Sequence, residues 1–291
     1  MFEGVIPALV TPFAKDSSID AEKFRDIVSF VEDGGVSGIL ACGTTGESAT
    51  LSIAEHKELI DLSVDCAKVP VVAGTGSNNT AEAVDLTKYA ADAGADAALI
   101  ISPYYNKTNN AGLLAHFNAI ADSADIPIIL YNVPSRTGQN VPLEVISELA
   151  KVENIVGIKE ASGSVENVSR ILEETVDEDF GVLSGEDGLA FPITALGGAG
   201  VISVVANLLP EMMVQMVDAS KKGDFAIARE LHYKMAPLIR VLFSETNPIP
   251  VKRAIDLMGL ASGDMRLPLA PISKENETVL TDVLRSMGCI E

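Results

Sequence analysis

The sequence predicts an α/β fold: a (β/α)8 TIM barrel with a C-terminal helical extension. Three observations lead there. Eight short apolar runs recur between residues 5 and 205, each continuous rather than alternating, which is the pattern of strands buried on both faces. The second to sixth runs end near 43, 74, 102, 131 and 159, at spacings of 31, 28, 29 and 28 residues, the size of one strand-plus-helix unit. After residue 206 the pattern becomes wholly helical. Eight units in this length fit a closed barrel, for which about 250 residues is typical. An open doubly wound sheet is the alternative, but it usually has fewer strands and shows a dinucleotide fingerprint or a topological switch.

In order, the runs are VIPALV (5–10), GILAC (38–42), PVVAG (70–74), AALIIS (97–102), PIILY (127–131), NIVGIK (154–159), FGVLSG (180–185) and GVISVV (200–205). Amphipathic stretches lie between them. In 20–33, Phe24, Ile27, Val28 and Val31 form one stripe, and Asp20 is placed as N-cap. In 52–67, Ser52 and Glu55 have capping-box spacing. In 80–93, Thr80 is the expected cap, and Ala83, Leu86, Ala90 and Ala93 share a face. The tail reads as helices over 210–221, 224–242, 249–258 and 273–287. The expected division is residues 1–206 for the barrel strands and crossover helices, and 207–291 for the last barrel helix and the extension.

Composition narrows the function. Of 291 residues, 41 are acidic and 21 basic, giving a formal net charge of −20. Nucleic acid and anionic membranes both need a basic surface, so neither is expected as a partner. The N-terminus has no basic segment ahead of its apolar stretch and carries two prolines, unlike a secretory signal. No apolar run is long enough to span a membrane. Cys42, Cys66 and Cys289 suggest neither a disulfide framework nor a CxxC metal site. A cytoplasmic protein is expected.

In such a barrel the chemistry sits at the C-terminal strand ends. Those ends read Gly43-Thr44-Thr45-Gly46-Glu47, Gly74-Thr75-Gly76, Ser102-Pro103-Tyr104-Tyr105, Tyr131-Asn132, Lys159-Glu160, Ser184-Gly185 and Ile202-Ser203. Lys159 stands out because it follows Ile155, Val156 and Ile158 directly. A free lysine amine is almost wholly protonated at pH 7. Burial lowers its pKa and frees the neutral nucleophile, which forms a Schiff base with a carbonyl substrate. The ordinary alternative is a lysine that snorkels to solvent or pairs with Glu160.

Tyr131 closes the preceding strand and neighbours Lys159 across a parallel pair, where a phenol can carry protons; otherwise it is a core aromatic. The Gly-Thr-Thr-Gly turn presents backbone N–H groups and the Thr44 and Thr45 hydroxyls to a carboxylate, or is simply a tight turn whose Gly43 and Gly46 supply positive φ. Arg136 follows strand five directly. It either binds a carboxylate bidentately or makes a loop-surface salt bridge. His56, His116 and His232 lack any metal-ligand spacing and read as helix-surface or packing residues. No phosphate loop or GxSxG elbow is present. The remaining acidic residues read as solvated helix faces.

Together, GTTGE (43–47), SPYYN (102–106), YNVPSRTG (131–138), GIKE (157–160) and GGAGVISV (197–204) resemble the dihydrodipicolinate synthase family. That family belongs to the pyruvate-dependent class I aldolases of the N-acetylneuraminate lyase type. The resemblance covers essentially the whole chain. It implies a Schiff base between Lys159 and pyruvate, proton shuttling by Tyr131, and a hydroxyl relay of Thr44, Tyr131 and Tyr105, the last from a neighbouring subunit. It further implies that Thr45 holds the pyruvate carboxylate, that Arg136 receives the carboxylate of aspartate-4-semialdehyde, and that Gly185 and Ile202 present backbone to the pyruvate pocket. The implied product is 4-hydroxy-tetrahydrodipicolinate, on the route to lysine and diaminopimelate, made without metal or organic cofactor by a homotetramer built as a dimer of dimers.

Many members of the family are inhibited by lysine, and the matching positions here are Ser48, Ala49, His56, Asn78, Glu82 and Tyr104. Ile53 stands where regulated relatives often carry a polar residue. The nearest rival is a sister lyase or aldolase acting on a sugar-derived 2-keto acid, such as an N-acetylneuraminate lyase or a 2-keto-3-deoxy sugar acid aldolase; Arg136 argues against it. A rival of another class is a non-catalytic barrel that binds small acids.

Overall fold

The computed structural model describes residues 2–291. Each predicted apolar run forms a strand: β1 (Gly4–Pro7), β2 (Ile39–Ala41), β3 (Val71–Gly74), β4 (Ala97–Ile101), β5 (Ile128–Asn132), β6 (Ile155–Glu160), β7 (Gly181–Ser184) and β8 (Gly200–Ser203). All pairs are parallel, in the order β1-β8-β7-β6-β5-β4-β3-β2. The ring closes where β1 meets β2. There Ala8 bridges Leu40, the Leu9 N–H donates to Leu40 O at 2.9 Å, and the Ser37 N–H donates to Val5 O at 2.9 Å.

The helices are α1 (Ala21–Asp33), α2 (Ile53–Cys66), α3 (Thr80–Ala93), α4 (Asn110–Ala121), α5 (Pro134–Thr137), α6 (Leu143–Leu149), α7 (Val165–Glu174), α8 (Ala190–Ala195), α9 (Pro210–Lys221), α10 (Phe225–Leu242), α11 (Ile249–Leu257) and α12 (Lys274–Ser286). Asp20 caps α1 by accepting the Lys23 N–H, and Ser52 with Glu55 forms the capping box of α2. The cap of α3 differs from expectation. Asn79, in extended backbone, accepts the Ala81 N–H at 3.1 Å. Thr80 is already helical, and its hydroxyl lies 2.9 Å from His116 Nδ1. Asparagine is at least as good a cap as threonine, and Thr80 is engaged elsewhere.

Strand alternation builds two apolar layers. Ile6, Leu40, Val72, Leu99, Ile129, Leu183 and Ile202 fill the barrel interior. Ile39, Val71, Ile100, Ile128, Leu130, Ile158 and Val182 face outward against the helices. Both strand faces are buried, so the runs are continuous. Burying each such Leu or Ile contributes about 1.5–3 kcal/mol, which keeps the strand ends in fixed register. The extension packs through α10 against α8, α9, α11 and α12, and α9 covers β1. Among the described residues no helix is long and apolar enough to cross a membrane.

Candidate active site

β6 carries Lys159 into the barrel. Its neighbours Ile158 and Glu160 point the other way, because successive strand residues face opposite sides. Glu160 therefore does not pair with Lys159. Its carboxylate accepts Asn132 Nδ2 at 2.8 Å and the Ser162 N–H at 2.7 Å. Lys159 does not snorkel either, being only 6% exposed. Register sets Lys159 between Tyr131 on β5 and Leu183 on β7. Its Nζ stands over the Tyr131 ring, 4.3 Å from the centroid. Burial lowers the amine from its ordinary 10.5 to about 7; Asp187 opposes that shift and the Arg136 guanidinium adds to it. Near neutrality a large share of the amine is thus unprotonated and nucleophilic.

The Tyr131 phenol is buried too. Burial pushes its pKa up, against the pull of Arg136 and of the Thr44 hydroxyl beside it. Thr44 belongs to the turn after β2. Positive φ there falls on Cys42 and Glu47, not on Gly43 and Gly46 as expected. Close approach explains Gly46 instead: a Cβ there would lie 3.1 Å from Leu9 O and from Thr11 Oγ1. Thr45 Oγ1 accepts a hydrogen bond from Asn247 Nδ2 at 3.0 Å.

Arg136 rides on α5, a single turn started by Pro134 and ended at Gly138 with φ 71°. Its Nη2 donates to Asn247 O at 3.0 Å. Among the described residues it makes no ion pair, so the surface salt-bridge alternative is not realised and the guanidinium lines the cavity. Gly185 comes so close to β6 that a Cβ would meet Ala161 Cβ at 2.6 Å and Lys159 Cγ at 3.2 Å. Ile202 is buried in the interior layer with Tyr131.

A cavity of about 610 Å³ joins Thr44, Tyr131, Arg136 and Lys159. The same cavity runs on to Ser48, Ala49, Ile53, His56, Glu82 and Tyr104. Asn78 does not line it; its Nδ2 donates to Tyr104 O at 3.1 Å. His56 is buried, with Nε2 at 2.7 Å from Gly74 O, and burial lowers its pKa, so it is a neutral donor to that carbonyl. Thr45, Gly185 and Ile202 are not among the residues that line this cavity. Tyr105 is not brought in at all: it is 93% exposed, at φ 69°.

Sequence reasoning missed four residues. Asp187, read among solvated acids, is buried just beyond β7. It accepts Ser203 Oγ at 2.5 Å and the N–H groups of Val204 at 3.0 Å and Val205 at 3.3 Å, while burial raises its pKa. Glu47 and Lys252 form an ion pair, side chains 0% and 1% exposed. Asn247 bonds both Thr45 and Arg136. Glu47 lay inside a motif; the other three had no local signal. Among the described residues no cluster of His, Cys, Asp or Glu is placed to hold a metal ion.

Asp187 acts on the amine by charge. Its carboxylate favours the protonated lysine, so Asp187→Asn lowers the Lys159 pKa further. A reaction that uses the unprotonated amine has its acid limb set by that pKa, about 7 with Asp187 in place, and in the variant the limb is expected to move to lower pH. A pH–rate profile checks this, and a limb that stays or rises removes Asp187 from the electrostatics of the site.

Residues 1–287 match the family model described as the Dihydrodipicolinate synthetase family. The 4-hydroxy-tetrahydrodipicolinate synthase of Methanosarcina mazei is 66% identical over 291 residues, covering all of both chains. A dihydrodipicolinate synthase structure from Aquifex aeolicus is 45% identical with a TM-score of 0.97, covering 99% of each chain. The chloride-inhibited enzyme of Acinetobacter baumannii, solved in complex with pyruvate, is 41% identical with a TM-score of 0.97 over the whole of both chains. The fold, the strand-end motifs and the family match agree, and the chain belongs to the dihydrodipicolinate synthetase family.

Proposed function

We propose that this chain condenses pyruvate with aspartate-4-semialdehyde to 4-hydroxy-tetrahydrodipicolinate, the first committed step toward lysine and diaminopimelate, through a Schiff base on Lys159. The observation that carries the reading is a buried lysine with a pKa of about 7, set over a tyrosine ring in the cavity that Thr44 and Arg136 also line. Its full-length relatives bear the name of that synthase.

The neutral Nζ attacks the ketone carbon of pyruvate and water leaves, giving a protonated imine. The imine draws electrons from the adjacent methyl carbon, a proton departs, and an enamine forms. The enamine carbon attacks the aldehyde. The amino group of the second substrate then closes the ring and expels Lys159. Each step moves a proton, which gives Tyr131 and Thr44 their work. From the turn beside the lining residue Thr44, Thr45 helps to hold the pyruvate carboxylate, and Gly185 and Ile202 present backbone toward the pyruvate pocket. Arg136 takes the carboxylate of the aldehyde, which disfavours a sugar-acid aldolase. The lysine is itself the electron sink, so no metal or organic cofactor enters the scheme.

The partner's Tyr105 completes the relay in a homotetramer made as a dimer of dimers. An aromatic residue exposed at strained backbone supports that placement. Three free thiols fit a reducing cytoplasm.

The direct test is to reduce the enzyme with borohydride in the presence of pyruvate and to locate the added mass. An adduct on Lys159 is expected; its absence would defeat the reading and favour a barrel that only binds acids. Arg136→Ala is expected to keep the adduct and to lower kcat/KM for the aldehyde about 10- to 100-fold. Because Arg136 depresses the amine pKa, its removal also moves the acid limb upward, opposite in sign to Asp187→Asn. Steady-state rates with each substrate varied in turn check both effects.

A further inference from the structure

The turn that carries Thr44 is gripped from the far end of the chain. Lys252, on α11, donates from Nζ to Glu47 Oε1 at 2.8 Å and to Thr11 O at 2.8 Å, and lies 4.4 Å from the centroid of the Phe13 ring. The other Glu47 oxygen accepts the Arg266 N–H at 3.1 Å. Thr11 Oγ1 donates to Gly46 O at 2.7 Å. Arg266 stacks on the same Phe13 ring and pairs with Glu55. One cation and one backbone N–H of the extension thus close on the Glu47 carboxylate at the barrel rim.

Stability alone is a poor reason for this arrangement, since apolar replacements of buried ion pairs are often neutral or better. Direction is what an apolar pair cannot supply. Glu47 sits at φ 56°, a left-handed conformation that a non-glycine residue keeps only when its surroundings over-determine it. Its N–H donates to Thr44 O at 3.1 Å. The Thr45 side chain has its own tether in Asn247. Thr44 hangs on the turn, and the turn ends on Glu47.

We propose that Glu47 and Lys252 are a positioning pair, which sets the Thr44 hydroxyl against Tyr131 and makes the C-terminal extension part of the proton relay. This rests on the Schiff-base reading above. Both side chains are buried, so the pair acts through Thr44.

Lys252→Met, which leaves the Glu47 carboxylate buried without its cation, is expected to lower kcat about 10- to 100-fold, the scale of an ångström-sized misplacement. Half-saturation by pyruvate changes less than about threefold, because Thr45 keeps Asn247. The Glu47→Gln/Lys252→Met double variant leaves no buried charge unpaired, so it regains melting temperature but not rate. Recovery of rate together with melting temperature overturns the proposal, as does a Lys252→Met enzyme with unchanged kcat. If Lys252→Met does not fold, the double variant alone decides. Absence of a pyruvate adduct in the unaltered enzyme strikes the Schiff-base reading instead, so the two failures are distinguishable.

Discussion

Lys159→Ala is expected to lose the borohydride-trapped pyruvate adduct completely and to lower kcat by at least about 10³-fold, because the covalent intermediate has no other amine. The variant should still fold. Lys159 lies at a strand end, and its burial costs the fold rather than supporting it. In the unfolded chain the amine titrates near 10.5; in the fold it titrates near 7. Between those values the unfolded chain binds the extra proton, so this group makes stability rise with pH across the window. Below pH 7 the penalty is at its fullest, and above 10.5 it vanishes. The melting temperature of Lys159→Ala relative to the unaltered chain should therefore be most favourable at low pH and fall back toward pH 10.5. Electrospray mass and thermal melts at several pH values test the two halves separately. An adduct that persists in the variant would move the nucleophile elsewhere.

Tyr131→Phe isolates one hydroxyl. The ring packs inside the barrel with Leu183 and Ile202 and lies under the Lys159 amine. Phenylalanine keeps that packing and the dry surroundings that depress the lysine. The acid limb near pH 7 should thus stay in place, while kcat falls about 10²- to 10⁴-fold through loss of proton transfer. The adduct should still form, more slowly, and quenched-flow trapping would record its rate. A full-speed Tyr131→Phe enzyme would leave the phenol as core packing and nothing more.

How much of this could be read from the chain follows from the physics of each residue. Strands buried on both faces leave continuous apolar runs, so all eight were legible, and their spacing fixed the barrel. Lys159 was legible because it ends an apolar run among strand ends that carry phenols and hydroxyls, which weighed against the ordinary course of snorkelling to solvent. The interior direction of its side chain, and hence its separation from Glu160, came from alternation and parallel register. Lys252 was not legible. It sits on α11 beside Val251, Ala254 and Ile255, and a lysine at such a position normally turns to water; only the buried Glu47 reverses that. Asp187 looked like one acid among 41, and its three donors come from the last residue of β8 and the two that follow it. Asn247 serves Thr45 across 202 residues. Local pattern cannot encode contacts of that separation. The α3 cap was misplaced by one residue because Asn79 and Thr80 are both good capping types, and a neighbouring histidine decided between them.

The tie between Glu47 and Lys252 spans 205 positions, and it has a consequence for the order in which the molecule matures. A nascent chain displays every barrel strand before α11 has been synthesised. Contacts so remote along the polymer are among the last to form, since the entropy of closing the loop must first be met. Catalytic competence is therefore acquired at the end of assembly. During refolding, recovery of turnover should trail the return of helical and sheet signal, and the interval reports the docking of the final helices.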